Sequence, residues 1–296
     1  MHRPPPHLYF VVSAIFHYLG PAFAVLLFVR VEPLGVAWLR IASAALVFAA
    51  WRRPWRVWSK RTAPLLLQWG AVLAAMNCCF YIAIDRLPLA TVAAIEFLPV
   101  VLLAALGART RRNAAALALA VTGVYMLTGV HLEGEAVGLA FAFANAALFA
   151  LYIVLAHRTA QHPAITGIDG LALAMLIAAV AVTPVAGPFV VPALTDPVAI
   201  LAGLGVGISS SVIPYVADQL AMRELPRATY ALMVSLLPAT ATVIGVVVLA
   251  QLPSAGELAG VALVIVGVAL HRDGEELDAP HSERAQGELV EAGGHP

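Results

Sequence analysis

The chain has 296 residues, of which 61% are hydrophobic and only 11% are charged, and its mean hydropathy is +0.90. Because soluble domains carry roughly 25% charged residues, this composition excludes an ordinary soluble protein and predicts a protein embedded in a lipid bilayer. The 17 basic and 17 acidic residues balance, so we expect no nucleic-acid partner.

Ten apolar segments follow one another along the chain. Most approach the roughly 20 residues that a helix needs to cross about 30 Å of hydrocarbon. Helices are expected because a segment in lipid must satisfy its own backbone hydrogen bonds. The sequence therefore predicts an all-α membrane protein with ten transmembrane helices. The predicted spans are 8–29, 34–51, 64–84, 89–106, 114–130, 136–156, 167–192, 198–222, 228–250 and 255–270.

The basic residues are distributed unequally between the two sides of these spans. With the N-terminus inside, fourteen of the 17 lie in inner loops or at the termini, whereas only Arg30 and Arg86 lie in outer loops and Arg40 lies within the second span. An excess of basic residues marks the cytoplasmic side of membrane proteins, so we predict that both termini are cytoplasmic. Residues 273–296 are polar and acidic and are predicted to form a disordered cytoplasmic tail.

A repeated motif indicates that the chain has two halves. Residues 83–91 read AIDRLPLAT, and residues 221–229, which lie 138 positions later, read AMRELPRAT. The first copy separates the third and fourth spans and the second separates the eighth and ninth, which predicts repeats over 1–132 and 133–272. Since each half has five spans, the halves must be inverted in the membrane. Inverted repeats are typical of secondary transporters, with the binding site between the repeats.

Four polar residues lie inside different predicted spans: Arg40, Asn77, Glu96 and Asn145. At a rise of 1.5 Å per residue they lie roughly 10–12 Å below the outer ends of their helices, so we expect them in one layer, with Arg40 opposite Glu96. Charges within a membrane are costly and usually face a bundle interior or a water-filled cavity. This pattern predicts a substrate site, in which Glu96 also takes and releases a proton. The alternative is a structural ion pair that only joins the second and fourth helices.

Further candidates for the site are less specific. Tyr81 and Tyr152 are predicted to line the same cavity, although core packing is the alternative for both. Ser235, three residues before a proline of the ninth span, is predicted to contact the substrate. His17 lies near mid-depth in the first span, where an imidazole that titrates at physiological pH can join in proton coupling, unless it is a packing residue. Asp218, near the inner boundary of the eighth span, is predicted to be a gate residue.

The eighth span combines hydroxyl and small residues. Ser209, Ser210 and Ser211 are expected to bond to the backbone of their own helix. The glycines at 203, 205 and 207 indicate close helix packing or bending. No role in the site is predicted for these residues.

Several stretches of the sequence resemble one family. They are WLRIASAALVF at 38–48, RRPWRV at 52–57, AMNCCFYIAIDRLPLATVAAIEF at 75–97 and VIPYVADQLAMRELPRATYALMVSLLP at 212–238. Over residues 8–271 the chain resembles the EamA family of the drug/metabolite transporter superfamily, and within it the bacterial threonine/homoserine exporter type. The resemblance implies a secondary transporter of the bacterial cytoplasmic (inner) membrane that exports small neutral amino acids such as threonine and homoserine, or related metabolites.

The chain departs from the family pattern around its ninth span. Family members often have Leu-Gly-Glu where this chain has Leu249, Ala250 and Gln251, and an acidic residue where it has Leu237. These differences concern the substrate more than the fold.

No enzyme is predicted, and neither a cofactor nor a metal is expected. The sequence contains no HExxH motif, no Ser/His pairing at a suitable spacing and no glycine-rich phosphate loop. Without a nucleotide site, transport must draw on an ion gradient, most simply of protons, with alternating access to a central site. The expected partners are a small-molecule solute, protons and the lipid bilayer. The alternative function is efflux of organic cations, which would use Glu96 without Arg40.

Overall fold

The structure is a computed structural model that describes residues 6–107, 110–131, 135–160, 162–165, 167–217 and 237–270. Within these ranges every regular element is helical and there is no β-strand, as the all-α prediction requires. We number the α-helices in chain order. They are α1 (Pro6–Leu27), α2 (Pro33–Arg52), α3 (Ala63–Arg86), α4 (Leu89–Gly107), α5 (Arg111–His131), α6 (Ala136–Ala160), α7 (Gly167–Val190), α8 (Pro197–Gly207), α9 (Leu237–Leu249) and α10 (Ala255–Leu270).

Three short segments interrupt or extend these helices. Pro54–Val57 and Val191–Thr195 are 3₁₀ turns that follow α2 and α7. Ile208–Val212 is a π-helical turn that continues α8, and the chain is helical again from there to Ala217. The eighth span, predicted over 198–222, therefore changes its helix type near its middle.

Six helices are long and apolar enough to cross a membrane. They comprise Leu8–Leu27, Pro33–Arg52, Ala63–Arg86, Ala136–Thr159, Ile168–Thr195 and Pro197–Ala217. Shorter apolar helices include Leu89–Pro99, Leu237–Leu249 and Ala255–Leu270. Each agrees with a predicted span, whereas the count of ten membrane spans stays a prediction.

The outer surface of the bundle is apolar, as lipid contact requires. Val29, Val180 and Val247 are between 70% and 87% exposed. Trp55 and Trp58, beside the basic residues that follow α2, are also exposed, and tryptophan is enriched where membrane meets water. In water such a surface would be an aggregation liability, so its natural surroundings are hydrocarbon.

Small residues let the helix backbones approach closely, which is the usual packing mode in membranes. A methyl group on Gly123 of α5 would lie 2.6 Å from the Gly260 carbonyl oxygen of α10, and one on Gly267 would lie 2.7 Å from the Ala116 carbonyl oxygen. These glycines bring α5 and α10 into backbone contact along two turns. Close packing of α10 against α5 leaves α4 enclosed by α3, α5, α6, α9 and α10.

The departure from the family pattern at the end of α9 has a structural consequence. Ala250 adopts a left-handed conformation, with φ of 54°, and the Gln251 backbone N–H donates to the Gly245 carbonyl at 3.1 Å. The Gln251 side-chain oxygen accepts a hydrogen bond from the Leu89 N–H at 3.1 Å and so caps the start of α4. The glutamine thus supplies the same kind of oxygen acceptor as a glutamate, but the alanine occupies a position that favours glycine.

Replacing Ala250 with glycine should raise the melting temperature of the purified protein by a few degrees. A left-handed conformation costs an L-residue about 1–2 kcal/mol, and glycine does not pay this cost. The matched control is Ala241→Gly in the buried part of α9, which should lower the melting temperature because glycine weakens a helix interior. A fall in stability for both variants would contradict the strain assigned to Ala250.

Candidate functional site

A small cavity lies in the middle of the bundle between α1, α2, α3, α4, α6 and the last turns that continue α8. Its volume is about 60 Å³. Six predicted site residues line it, and they come from five different helices: His17, Arg40, Asn77, Glu96, Asn145 and Tyr152. The remaining lining residues are Pro21, Met76, Phe80, Phe149 and Tyr215. One cationic and one anionic side chain therefore face a common space with neutral polar and aromatic walls.

Glu96 is held by an amide. Its side chain on α4 is 8% exposed, and the Asn145 Nδ2 of α6 donates a hydrogen bond to its Oε1 at 3.2 Å. Asn145 is fully buried, and its own Oδ1 accepts no hydrogen bond from any described residue. The pair thus combines a charged acceptor with an unsatisfied neutral acceptor, and both residues line the cavity.

Arg40 lies across the same cavity but forms no ion pair with Glu96 in the described part of the chain. Its Nε donates to the Ser211 Oγ at 3.1 Å and its Nη2 donates to the Ser210 carbonyl at 3.2 Å. Arg40 and Glu96 thus face one cavity, and the structural ion pair, which was the alternative, is not formed between them in this structure. The arginine is held by the π turn Ile208–Val212 and the glutamate by α6, which leaves both charges available to a third molecule.

Tyr81 supports Arg40 from outside the cavity wall. The Arg40 Cζ lies 5.6 Å from the centroid of the Tyr81 ring, a distance at which a cation is attracted to an aromatic face. Tyr81 is fully buried, and its hydroxyl makes no hydrogen bond to any described residue. Tyr81 was predicted to line the cavity; the structure places it behind the arginine instead.

Three other predicted residues form part of the cavity wall. The Asn77 Nδ2 donates to the Leu73 carbonyl of its own helix at 2.8 Å, so one of its donors is already used. Tyr152 stacks on Phe149 with ring centroids 6.0 Å apart. His17 packs edge-to-face against Tyr18 at 5.3 Å. Asn77, Tyr152 and His17 all line the cavity, and their roles in binding or proton transfer stay predictions.

Two predicted site residues lie outside the described ranges. They are Asp218, the predicted gate, and Ser235, the predicted contact in the ninth span. Their roles stay predictions. Among the residues that the structure does describe, no group of three or more histidine, cysteine, aspartate or glutamate side chains is placed to hold a metal ion.

The residues that hold Arg40 lie in the π turn Ile208–Val212, for which no role in the site was predicted. Ser209 behaves as expected, because its hydroxyl donates to the Val206 carbonyl of its own helix. Ser210 and Ser211 differ from this expectation. The Ser210 carbonyl and the Ser211 hydroxyl each accept a hydrogen bond from Arg40. A usable signal was present: Pro214 follows Ser210 by four residues, and a proline leaves the carbonyl four residues earlier without its helical donor.

Known proteins resemble the chain in sequence and in fold. A family model described as the EamA-like transporter family matches residues 136–272. The threonine/homoserine exporter RhtA of Escherichia coli (strain K12) is 32% identical over 237 residues, which cover 78% of this chain and 79% of that protein. The chain belongs to the EamA-like transporter family. The exporter of the same name from Salmonella typhimurium (strain LT2) is 31% identical over the same shares.

The fold is also found in a protein of known structure. A solved crystal structure that is 22% identical matches with a TM-score of 0.56 over 89% of this chain and 97% of that chain. The resemblance to the EamA family inferred from the sequence motifs is confirmed. As a family member with several membrane-spanning helices, the chain is a multi-pass membrane transporter of a small-molecule solute, and it is not an enzyme.

Proposed function

We propose that the chain is a secondary transporter that exports small neutral amino acids such as threonine and homoserine, or related metabolites, across the bacterial cytoplasmic membrane. The observation that carries this proposal is the placement of Arg40 and Glu96 around one cavity, each held by a different neighbour. A zwitterion needs one charge of each sign at its binding site, and the two charges must not already neutralise each other. The names of the curated relatives point to the same class of substrate.

The substrate carboxylate binds Arg40 in this scheme. A guanidinium has five N–H donors in a planar fork, and two of them are used by Ser210 and Ser211. These two contacts use Nε and Nη2, so a carboxylate can bind along the remaining edge, which carries Nη1, with charge-assisted hydrogen bonds. The position of the arginine beside the cavity fits this role.

The substrate ammonium, or a proton, binds at Glu96. The free Oδ1 of Asn145 supplies a second acceptor next to the carboxylate, and an ammonium group offers three donors. Alternation between a proton and the substrate at one carboxylate couples transport to the proton gradient. His17, which lines the same cavity, is the second candidate for proton transfer.

The size of the cavity supports alternating access. The volume of about 60 Å³ is small for a substrate site. Pockets that hold a drug-sized ligand have about 300–1,000 Å³. Admission of an amino acid therefore requires the helices around the cavity to separate, first on one side of the membrane and then on the other.

The packing of helices supports two inverted repeats, over residues 1–132 and 133–272. If α1–α5 correspond to α6–α10, then α2 packs on its counterpart α7, α4 on α9 and α5 on α10. The contact of α3 with α6 corresponds to that of α8 with α1, and the contact of α4 with α6 corresponds to that of α9 with α1. Exchange of the halves thus reproduces most of the pairs, as a pseudo-two-fold axis requires. We propose ten membrane spans on this basis.

Two ion pairs support the proposed orientation, with both termini and the tail 273–296 in the cytoplasm. Arg52 Nε lies 2.7 Å from Asp169 Oδ1, and both residues belong to predicted inner helix ends. Arg30 Nη1 lies 2.9 Å from Asp196 Oδ2, and both residues belong to predicted outer loops. Each pair joins residues that the basic-residue distribution assigns to the same side.

Efflux of organic cations is the second candidate function. Phe80, Phe149, Tyr152 and Tyr215 give the cavity aromatic walls, and aromatic faces attract cations. Glu96 would supply the counter-charge. Arg40 in the same cavity opposes this function, because it repels a cation.

Transport of labelled threonine and homoserine by proteoliposomes tests the proposal directly. We expect saturable transport that a pH gradient stimulates, and cells that overproduce the protein should tolerate excess threonine or homoserine. Liposomes that contain the purified protein with Arg40→Met should show neither amino-acid transport nor stimulation. Resistance to lipophilic cations alone, with no change in amino-acid efflux, would establish the second candidate function instead.

A further inference from the structure

The π-helical turn Ile208–Val212 packs closely between α1 and α2. A methyl group on Gly20 of α1 would lie 2.8 Å from the Ser210 backbone nitrogen, and one on Gly207 would lie 2.8 Å from the Arg40 carbonyl oxygen. Neither contact leaves space for a side chain. The backbones of three helices therefore meet at the point where α8 changes its helix type.

The hydrogen bonds of this turn are rearranged by its own sequence. The Ile213 N–H donates to the Ile208 carbonyl, five residues earlier, instead of continuing the α-helical pattern. Pro214 has no N–H, so the Ser210 carbonyl lacks the donor that an α-helix would give it. Arg40 Nη2 supplies that donor at 3.2 Å. The turn is thus built to present a carbonyl sideways to a neighbouring helix, and single π turns occur frequently at functional sites.

We propose that Ser211 and Pro214 are positioning residues for carboxylate recognition, although neither of them lines the cavity. The Ser211 hydroxyl fixes Nε of Arg40, and Pro214 keeps the Ser210 carbonyl free to fix Nη2. Together they hold one edge of the guanidinium and turn the remaining edge, with Nη1, toward the substrate carboxylate. This inference rests on the proposed function and adds to it the element that sets the orientation of Arg40.

The contacts around the Arg40 guanidinium restrict its side chain before the substrate binds. The Arg40 Cζ lies 5.6 Å from the centroid of the Tyr81 ring, so the arginine contacts α3 as well as the π turn. Arginine side chains carry about 2 kcal/mol of rotamer entropy. A site that has already restricted this freedom binds a carboxylate more tightly, because less order remains to be created on binding.

The same turn provides a matched control. Ser209 differs from Ser211 in its partner, because its hydroxyl donates to the Val206 carbonyl at 3.2 Å and forms no hydrogen bond to Arg40. Ser209 and Ser211 are both buried serines of the π turn. Substitution of either residue by alanine removes one hydroxyl from the same turn, but only the change at Ser211 removes a contact with the arginine.

The decisive experiment compares a substrate that has a carboxylate with an analogue that lacks one. In proteoliposomes, Ser211→Ala should raise KM for threonine about tenfold, the loss expected for one hydrogen bond to a charged group. The kcat and the inhibition constant of threoninol, the amino alcohol, should change less than twofold. Pro214→Ala should act in the same direction, because its new N–H competes with Arg40 for the Ser210 carbonyl. Ser211→Thr should restore KM, and Ser209→Ala should leave it unchanged.

Equal losses for threonine and threoninol in Ser211→Ala would overturn the positioning role, while the proposed function would stand. If the unmodified protein transports no amino acid, the proposed function fails. The contact between Ser211 and Arg40 is then tested by the melting temperatures of the variants. A double-mutant cycle of Ser211→Ala and Arg40→Met, followed by melting temperature, should give a loss smaller than the sum of the single losses. Additive losses would show that Ser211 does not hold Arg40.

Discussion

Replacing Glu96 with glutamine should abolish pH-gradient-driven transport while the protein still folds and inserts. Glutamine keeps the size of the side chain and a carbonyl oxygen that can accept from the Asn145 amide, the contact that measures 3.2 Å for glutamate. It removes the carboxylate that binds a proton or an ammonium group. Slow exchange of labelled substrate without a pH gradient should persist, since Arg40 and the cavity walls are unchanged. Both modes of transport can be measured on one preparation of proteoliposomes.

Glu257 offers a matched control for this substitution. It is another buried glutamate, with 9% exposure, but it belongs to α10 and accepts a hydrogen bond from the Ser254 N–H at 2.7 Å, as in a capping box. Glu257→Gln also keeps an oxygen acceptor, so it should preserve proton-driven transport. Full proton-driven transport by the Glu96 variant would transfer the coupling role to another group, and His17→Asn would then be the variant that loses the response to pH.

The absence of an ion pair between Arg40 and Glu96 also changes what a double replacement should do. If the two charges were partners, loss of one would leave the other buried and unpaired, and removal of both would restore stability. Since Ser210 and Ser211 hold the arginine and Asn145 holds the glutamate, the stability losses of Arg40→Met and Glu96→Gln should be nearly additive. Melting temperatures of the single and double variants measure this directly.

The residues that share the central cavity were largely predictable, for a geometric reason. A helix rises by a fixed 1.5 Å per residue, so distance from a helix end gives depth in the membrane. Arg40, Asn77, Glu96 and Asn145 were expected in one layer on this ground, and all four line the cavity. Depth does not give the direction in which a side chain points around its helix. For that reason the sequence indicated the layer, with Arg40 opposite Glu96, but not that Asn145 donates a hydrogen bond to Glu96.

The π turn illustrates a second limit. Serines and small residues are compatible with an ordinary helix, so a local pattern does not reveal that the hydrogen bonds of Ile208–Val212 shift by one residue. That shift depends on three helices that meet at Gly20, Gly207 and Ser210, and such long-range contacts are absent from the sequence pattern. By contrast, the presence of the helices and most of their boundaries follow from the length of the apolar segments. For example, α4 begins at Leu89 as predicted.

Replacing Arg40 with lysine should raise KM for threonine by about tenfold to a hundredfold, with a smaller effect on kcat. Lysine keeps the positive charge, but its ammonium is a compact point charge without the planar fork. It cannot hold the Ser211 hydroxyl and the Ser210 carbonyl along one edge and also offer a second edge to a carboxylate. Each lost hydrogen bond to a charged group weakens binding by about 1.5–3 kcal/mol, and a loss of 1.4 kcal/mol corresponds to a tenfold change.

Arg30→Lys is the matched control, because Arg30 also contacts another side chain, Asp196, at 2.9 Å, but does so at an exposed position away from the cavity. Exposed ion pairs contribute only about 0–1 kcal/mol, so this variant should transport threonine normally. The variant Arg40→Met separates the two candidate functions. A cation-efflux protein would gain affinity for its substrate when Arg40→Met removes a repelling charge from the cavity, whereas an exporter of zwitterions would lose its substrate. Unchanged threonine KM in Arg40→Lys would show that the arginine serves packing around α8 and does not bind the carboxylate.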